Sequence, residues 1–82
     1  MQAIAKLLVL NYVNDRRADN EPLKLSDVYV VWFCKTLNHW KALLSTKIPD
    51  GMYYEVTHDG EKKKTYFDAY KRWEQVIVDD TE

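Results

Sequence analysis

The 82 residues suffice for one small domain, which buries only about 60–65% of its unfolded surface and so needs a core of large side chains. Hydrophobic residues at 46% and charged ones at 30% describe a globular chain, and a net charge of −1 gives no general pull toward nucleic acid or an anionic membrane. No apolar run approaches the ~20 residues that span a bilayer, and the single cysteine, with no basic start of a secretory signal, predicts a cytoplasmic protein.

In chain order, "MQAIAKLLVLNYVNDRR" carries Ile4, Leu7, Leu8 and Tyr12 at helical spacing beside Ala5, Val9 and Val13, which predicts a helix over 2–17. Its apolar side is broad, so a sheet or another chain must cover it. The polar stretch 18–24 contains Pro22 and reads as a loop. From Val28 the residues turn β-branched and aromatic, predicting a strand that reverses at Asn38-His39 and returns through "WKALLSTKI". That register sets Leu37 against Trp40, Lys35 against Ala42, Phe33 against Leu44 and Val31 against Thr46 on one face. The opposite face takes Trp32, Cys34, Thr36, Lys41, Leu43 and Ser45. Neither face is polar, so both call for a cover.

"PDG" at 49–51 is a turn, with Pro fixing φ and Gly accepting a positive one. "MYYEVTH" follows as a third strand, and Asp59-Gly60 carries the signal of a two-residue type I′ hairpin. That turn would set Glu55 against Lys64, Thr57 against Lys62, Tyr53 against Tyr66 and Met52 against Phe67, ending the sheet (28–67) at Phe67. Asp68 then reads as the N-cap of a second helix over 68–77, with Ala69, Tyr70, Trp73, Val76 and Ile77 as its stripe, before an acidic tail over 79–82. The expected class is α+β: an N-terminal helix, a four-stranded antiparallel meander of two hairpins, and a C-terminal helix, in one domain.

Chemistry is sparse. Cys34 and His39 as a nucleophile pair would need hydrogen-bond contact, yet five residues of strand put them roughly 15 Å apart. His39, His58 and Asp59 share one end of the meander but lack metal-ligand spacing, and read as solvated turn residues. No catalytic motif, glycine-rich phosphate loop or paired carboxylate stands out, so neither enzymatic activity nor a cofactor or metal is expected. The run Lys62-Lys63-Lys64 beside Tyr66 and Tyr53 would make a stacking platform for single-stranded nucleic acid. Glu55, Asp59 and Glu61 oppose it, and lysines also blunt strand edges. Eleven aromatic rings exceed what so small a core readily holds. They favour a protein partner, or a second copy, met through Trp40, Tyr53, Tyr66 and Trp73.

The segments "DVYVVWFCKTLNHWKALLST" and "DGMYYEVTHDGEKKKTYFDAYKRWEQV", about Asp27 to Val78, resemble a family of small uncharacterised proteins encoded by phages and prophages of Gram-positive bacteria. The first helix and the loop to Lys24 match it only in character. The resemblance carries over no catalytic or binding residue. What it implies is an intracellular phage protein that binds a host enzyme, a defence factor or phage DNA.

Overall fold

The computed structural model describes residues 1–17 and 21–80, so residues 18–20 of the expected loop and 81–82 of the expected tail lie outside the described residues. Helix α1 runs Gln2–Asp15, two residues shorter than expected. A 3-10 turn at Leu25–Asp27 leads into four strands, β1 Val28–Thr36, β2 His39–Thr46, β3 Met52–Asp59 and β4 Lys64–Lys71. They form one antiparallel sheet in the order β1-β2-β3-β4. Among the described residues no helix is long and apolar enough to cross a membrane.

Helix α1 covers one face of this sheet with a narrow stripe. Ala5, Val9 and Val13, spaced by four, are buried, whereas Ile4 and Leu7 stay exposed. Against the stripe lie Val28, Trp40, Ala42, Leu44, Tyr54 and Val56. Tyr12 reaches from the helix to Phe67 and Tyr54, with ring centroids 5.0 and 5.7 Å away. Leu23 closes the core near the helix end. Its N–H donates to Asn14 Oδ1 (2.8 Å) and its carbonyl accepts from Asn14 Nδ2 (3.2 Å), so no backbone group there is left unpaired.

Both hairpins keep the expected faces but not the expected registers. In the first, Leu37 and Asn38 make the turn instead of Asn38-His39, and Lys35 faces Trp40, Phe33 faces Ala42 and Cys34 faces Lys41. The slide is two residues, and because side chains alternate with period two it leaves those from Trp32 to Ser45 on their expected faces. A bulge at Val31 then brings Val28 and Val30, rather than Val31, against the core. The turn costs Leu37 a φ of +55° with its side chain 83% exposed. Left-handed backbone costs a non-glycine residue about 1–2 kcal/mol. Leu37→Gly is therefore expected to raise stability by about 1 kcal/mol after its own entropy loss. Its thermal midpoint should rise by about 4–8 °C; a lower midpoint would mean that Leu37 is held by packing.

The Pro49-Asp50-Gly51 turn is as expected, with Gly51 at φ +74° and Asp50 Oδ1 accepting the Met52 N–H at 3.0 Å. The second hairpin differs more. Asp59 is not a turn centre: its Oδ1 accepts the N–H groups of Glu61 (3.0 Å) and Lys62 (3.1 Å), building a longer loop over 60–63 in which Lys63 takes φ +54°. The ladder slides by four, so Asp59 faces Lys64, Thr57 faces Tyr66, Glu55 faces Asp68, Tyr53 faces Tyr70 and Met52 faces Lys71.

The C-terminal helix expected over 68–77 is not found. Asp68 is no N-cap, because β4 continues through it to Lys71 and is hydrogen-bonded along β3. Residues 72–80 hold neither helix nor strand. Once β4 has taken Asp68–Lys71, the remaining apolar stripe is too short to hold a helix without a surface to pack on.

Candidate interface

Among the described residues, no helix or strand covers the face of the sheet opposite α1. Successive rungs of the three ladders place four rows of side chains across it. Tyr29, Ser45, Tyr53 and Tyr70 form the row nearest the start of β1. Trp32, Leu43, Glu55 and Asp68 form the next, then Cys34, Lys41, Thr57 and Tyr66, and last Thr36, His39, Asp59 and Lys64. The eleven aromatic rings divide cleanly. Tyr12, Phe33, Trp40, Tyr54 and Phe67 serve the helix side. Tyr29, Trp32, Tyr53, Tyr66 and Tyr70 lie on the open side, and Trp73 lies beyond the sheet. On the open side Tyr29, Trp32, Tyr66 and Tyr70 are 41–52% exposed. A depression of about 520 Å³ in this face is lined by Trp32, Cys34, Lys41, Thr57 and Tyr66 among others.

The four residues expected at an interface thus part company. Trp40 is buried, packed on Phe33 and stacked on His58 with centroids 5.5 Å apart. Tyr53 is half-buried and Tyr66 exposed on the open face, and Trp73 is almost wholly exposed after β4. The expected stacking platform also comes apart. Tyr53 and Tyr66 share a face but sit four rungs apart, roughly 13 Å along the strands. Lys62 is drawn into the loop, while Lys64 stays on the face opposite Asp59. Sequence reasoning set Trp32 and Leu43 on this second face without naming them as interface candidates, and missed Tyr29 and Tyr70. Alternation in "VYVVWF" sets Tyr29 on the face opposite Trp32, and only the bulge at Val31 brings the two together. Alternation in "TYFDAYK" does join Tyr70 to Tyr66, a signal masked because Tyr70 also fits a helical stripe.

The electrostatics of the face are mixed, with acid at its centre. Glu55 and Asp68 stand directly opposite each other, an arrangement that is destabilising in a free sheet. Lys41 Nζ approaches Glu55 at 3.9 Å and offsets part of that repulsion. The Asp68 and Glu55 charges hold the Tyr70 hydroxyl above its usual range. At the tip, the N–H of Lys62, then that of Glu61 and the charge of His39, draw Asp59 below the usual carboxylate range, against a partial desolvation.

Cys34 and His39 are closer than strand counting suggests. The turn at Leu37-Asn38 folds them onto one face, two rungs apart, with Cα positions about 8 Å from each other. No hydrogen bond joins them among the described residues. His39 Nδ1 accepts the Gly60 N–H at 3.2 Å, so the neutral ring carries its proton on Nε2 and offers no base to a thiol. His39 Nδ1 also lies 3.5 Å from Asp59 Oδ1. His58 points to the helix side, bonded to Thr65 Oγ1 at 3.0 Å, and among the described residues no three such groups gather as metal ligands.

Neither curated proteins nor solved structures give a match to this chain. A model of one protein family does, over residues 2–80. With nearly its whole length matched, the chain belongs to DUF6275, a family of unknown function.

Proposed function

We propose that this chain is a non-catalytic binding protein that holds another protein against the open face of its sheet. One observation carries the reading: five aromatic side chains share a face that no element among the described residues covers, with Tyr29, Trp32, Tyr66 and Tyr70 exposed together. Such rings give large contact area at small entropic cost and dominate binding energy at protein interfaces. The resemblance of Asp27–Val78 to phage and prophage proteins supports a place in the cytoplasm of an infected bacterium, acting on a host or defence factor.

A nucleic-acid reading has one favourable observation, Tyr66 exposed on the same face as Lys64 and Lys41. Glu55 and Asp68 in the middle of that face weigh against it, since they repel phosphates. The double variant Trp32→Ala/Tyr66→Ala separates the readings. Capture of a defined protein from host cells is expected to drop by about 30-fold or more, the loss of one strong aromatic anchor, with the fold retained by circular dichroism. Nuclease should leave the capture by wild-type protein untouched. Capture that vanishes with nuclease, together with oligonucleotide affinity falling steeply with salt, would transfer the face to nucleic acid.

A further inference from the structure

We infer that residues 72–80 are an exchange arm, which lies on the open sheet face of a second copy of this chain while the partner's arm lies on the first. The inference rests on the reading of that face as a protein-binding surface, and names what covers it.

The first argument is surface. The chain exposes 6370 Å² and has a radius of gyration of 14.8 Å. A compact monomer of 9.8 kDa exposes about 5,200 Å². A compact chain of this length has a radius of gyration of about 12 Å. The excess of roughly 1,200 Å² exceeds the ~800 Å² that one partner gives to a standard interface.

The second is the arm itself. Trp73, Val76, Ile77 and Val78 are 93%, 70%, 82% and 81% exposed, four large apolar side chains in a run of six residues. Its root is fixed, because the Arg72 N–H donates to the Gly51 carbonyl at 2.7 Å and carries the β3–β4 ladder one residue past the strand. From there a return to its own face would need a tight reversal. The stretch "AYKRWEQVIV", 69–78, holds no Gly, Pro, Asn, Asp or Ser to make one. The arm therefore leaves its own sheet.

The third is complementarity. Extended from Trp73 to Asp80 the arm reaches about 23 Å, close to the length of the strands it would lie along. Entering at the Tyr29–Tyr70 row, it sets its apolar residues over Tyr53, Leu43 and Trp32. It then brings Asp79 and Asp80 to the end of the face that carries Lys41 and Lys64. Each chain owns both an unpartnered arm and an unpartnered face, and a two-fold axis satisfies all four at once.

Light scattering on the intact chain and on Trp73→Glu/Ile77→Glu tests this. Wild-type protein should have twice the chain mass, and the variant half the wild-type value with an unchanged circular dichroism spectrum. A wild-type monomer at every concentration, or a variant that stays dimeric, overturns arm exchange. The arm variant is then also assayed for partner capture. Retained capture that still depends on Trp32 and Tyr66 leaves the face a binding surface for another protein and removes only the arm. Capture independent of Trp32 and Tyr66 removes the face reading itself.

Discussion

Trp40→Ala is expected to cost about 3–5 kcal/mol, the range for deleting a large aromatic from a core. The whole stability of an 82-residue domain is about 4–12 kcal/mol, so this one change brings the protein to the edge of unfolding. Trp40 is 6% exposed and packs on several parts of the fold at once: Phe33 on β1 at 5.9 Å between centroids, His58 on β3 at 5.5 Å, and the buried side of the sheet under α1. Urea unfolding followed by circular dichroism gives the number, and a loss under about 1 kcal/mol would mean the cavity collapses at little cost. Trp73→Ala is the control of equal chemistry. It should leave the folded spectrum unchanged and alter only the dependence of the midpoint on protein concentration, as for a residue that acts through association. The two tryptophans look alike as candidates for an interface, and their roles are opposite.

That contrast shows how much of this molecule its sequence discloses. Period-two alternation assigns faces, and the assignments from Trp32 onward hold, because the registers slide by two and by four residues and neither slide changes parity. Before Trp32 the bulge at Val31 reverses them, so that Val28 and Val30 rather than Val31 meet the core. Alternation cannot say which of two apolar faces the helix covers. Phe33, Trp40, Ala42 and Leu44 compete with Trp32, Leu43, Tyr53 and Tyr66, and only the packing of Ala5, Val9 and Val13 decides. Turn chemistry misleads at both tips. Asn38-His39 and Asp59-Gly60 are strong local signals, yet the first hairpin turns at Leu37-Asn38. The Asp59 carboxylate, by accepting two N–H groups, lengthens the second. "DAYK" at 68–71 fits a capped helix and an edge strand equally, and pairing with Met52–Glu55 settles it as strand. The candidate surface follows from these slides. Tyr70 joins the open face only because β4 runs four residues longer than the turn signal allows.

Gly60→Ala is expected to cost about 1–3 kcal/mol, the penalty for forcing atoms into a filled space. Its source is not backbone freedom at Gly60 but the meeting of the two hairpin tips. A methyl group there would overlap the Asn38 carbonyl oxygen and lie 2.6 Å from Asn38 Cγ and 2.7 Å from its Cβ. The carbonyl belongs to the turn whose φ at Leu37 is already left-handed, so the tip has little room to yield without further strain. Retreat of Gly60 would also lengthen the 3.2 Å bond from its N–H to His39 Nδ1, freeing that ring from the tautomer the bond imposes. Two readouts follow from one substitution: a lower unfolding midpoint, and a change in the His39 ring signals by NMR with the Trp40 environment preserved. Asn38→Gly in the same background removes the side-chain overlap and leaves the carbonyl in place. It should restore only part of the stability, and full restoration would assign the clash to the Asn38 side chain instead of the turn. The first and last strands of the sheet share no hydrogen bonds, yet these tips tie one hairpin to the other at the end of the open face where Lys41, Lys64 and His39 lie. The spacing of those three side chains, and with it any partner's fit to that end, depends on a glycine that touches none of them but His39.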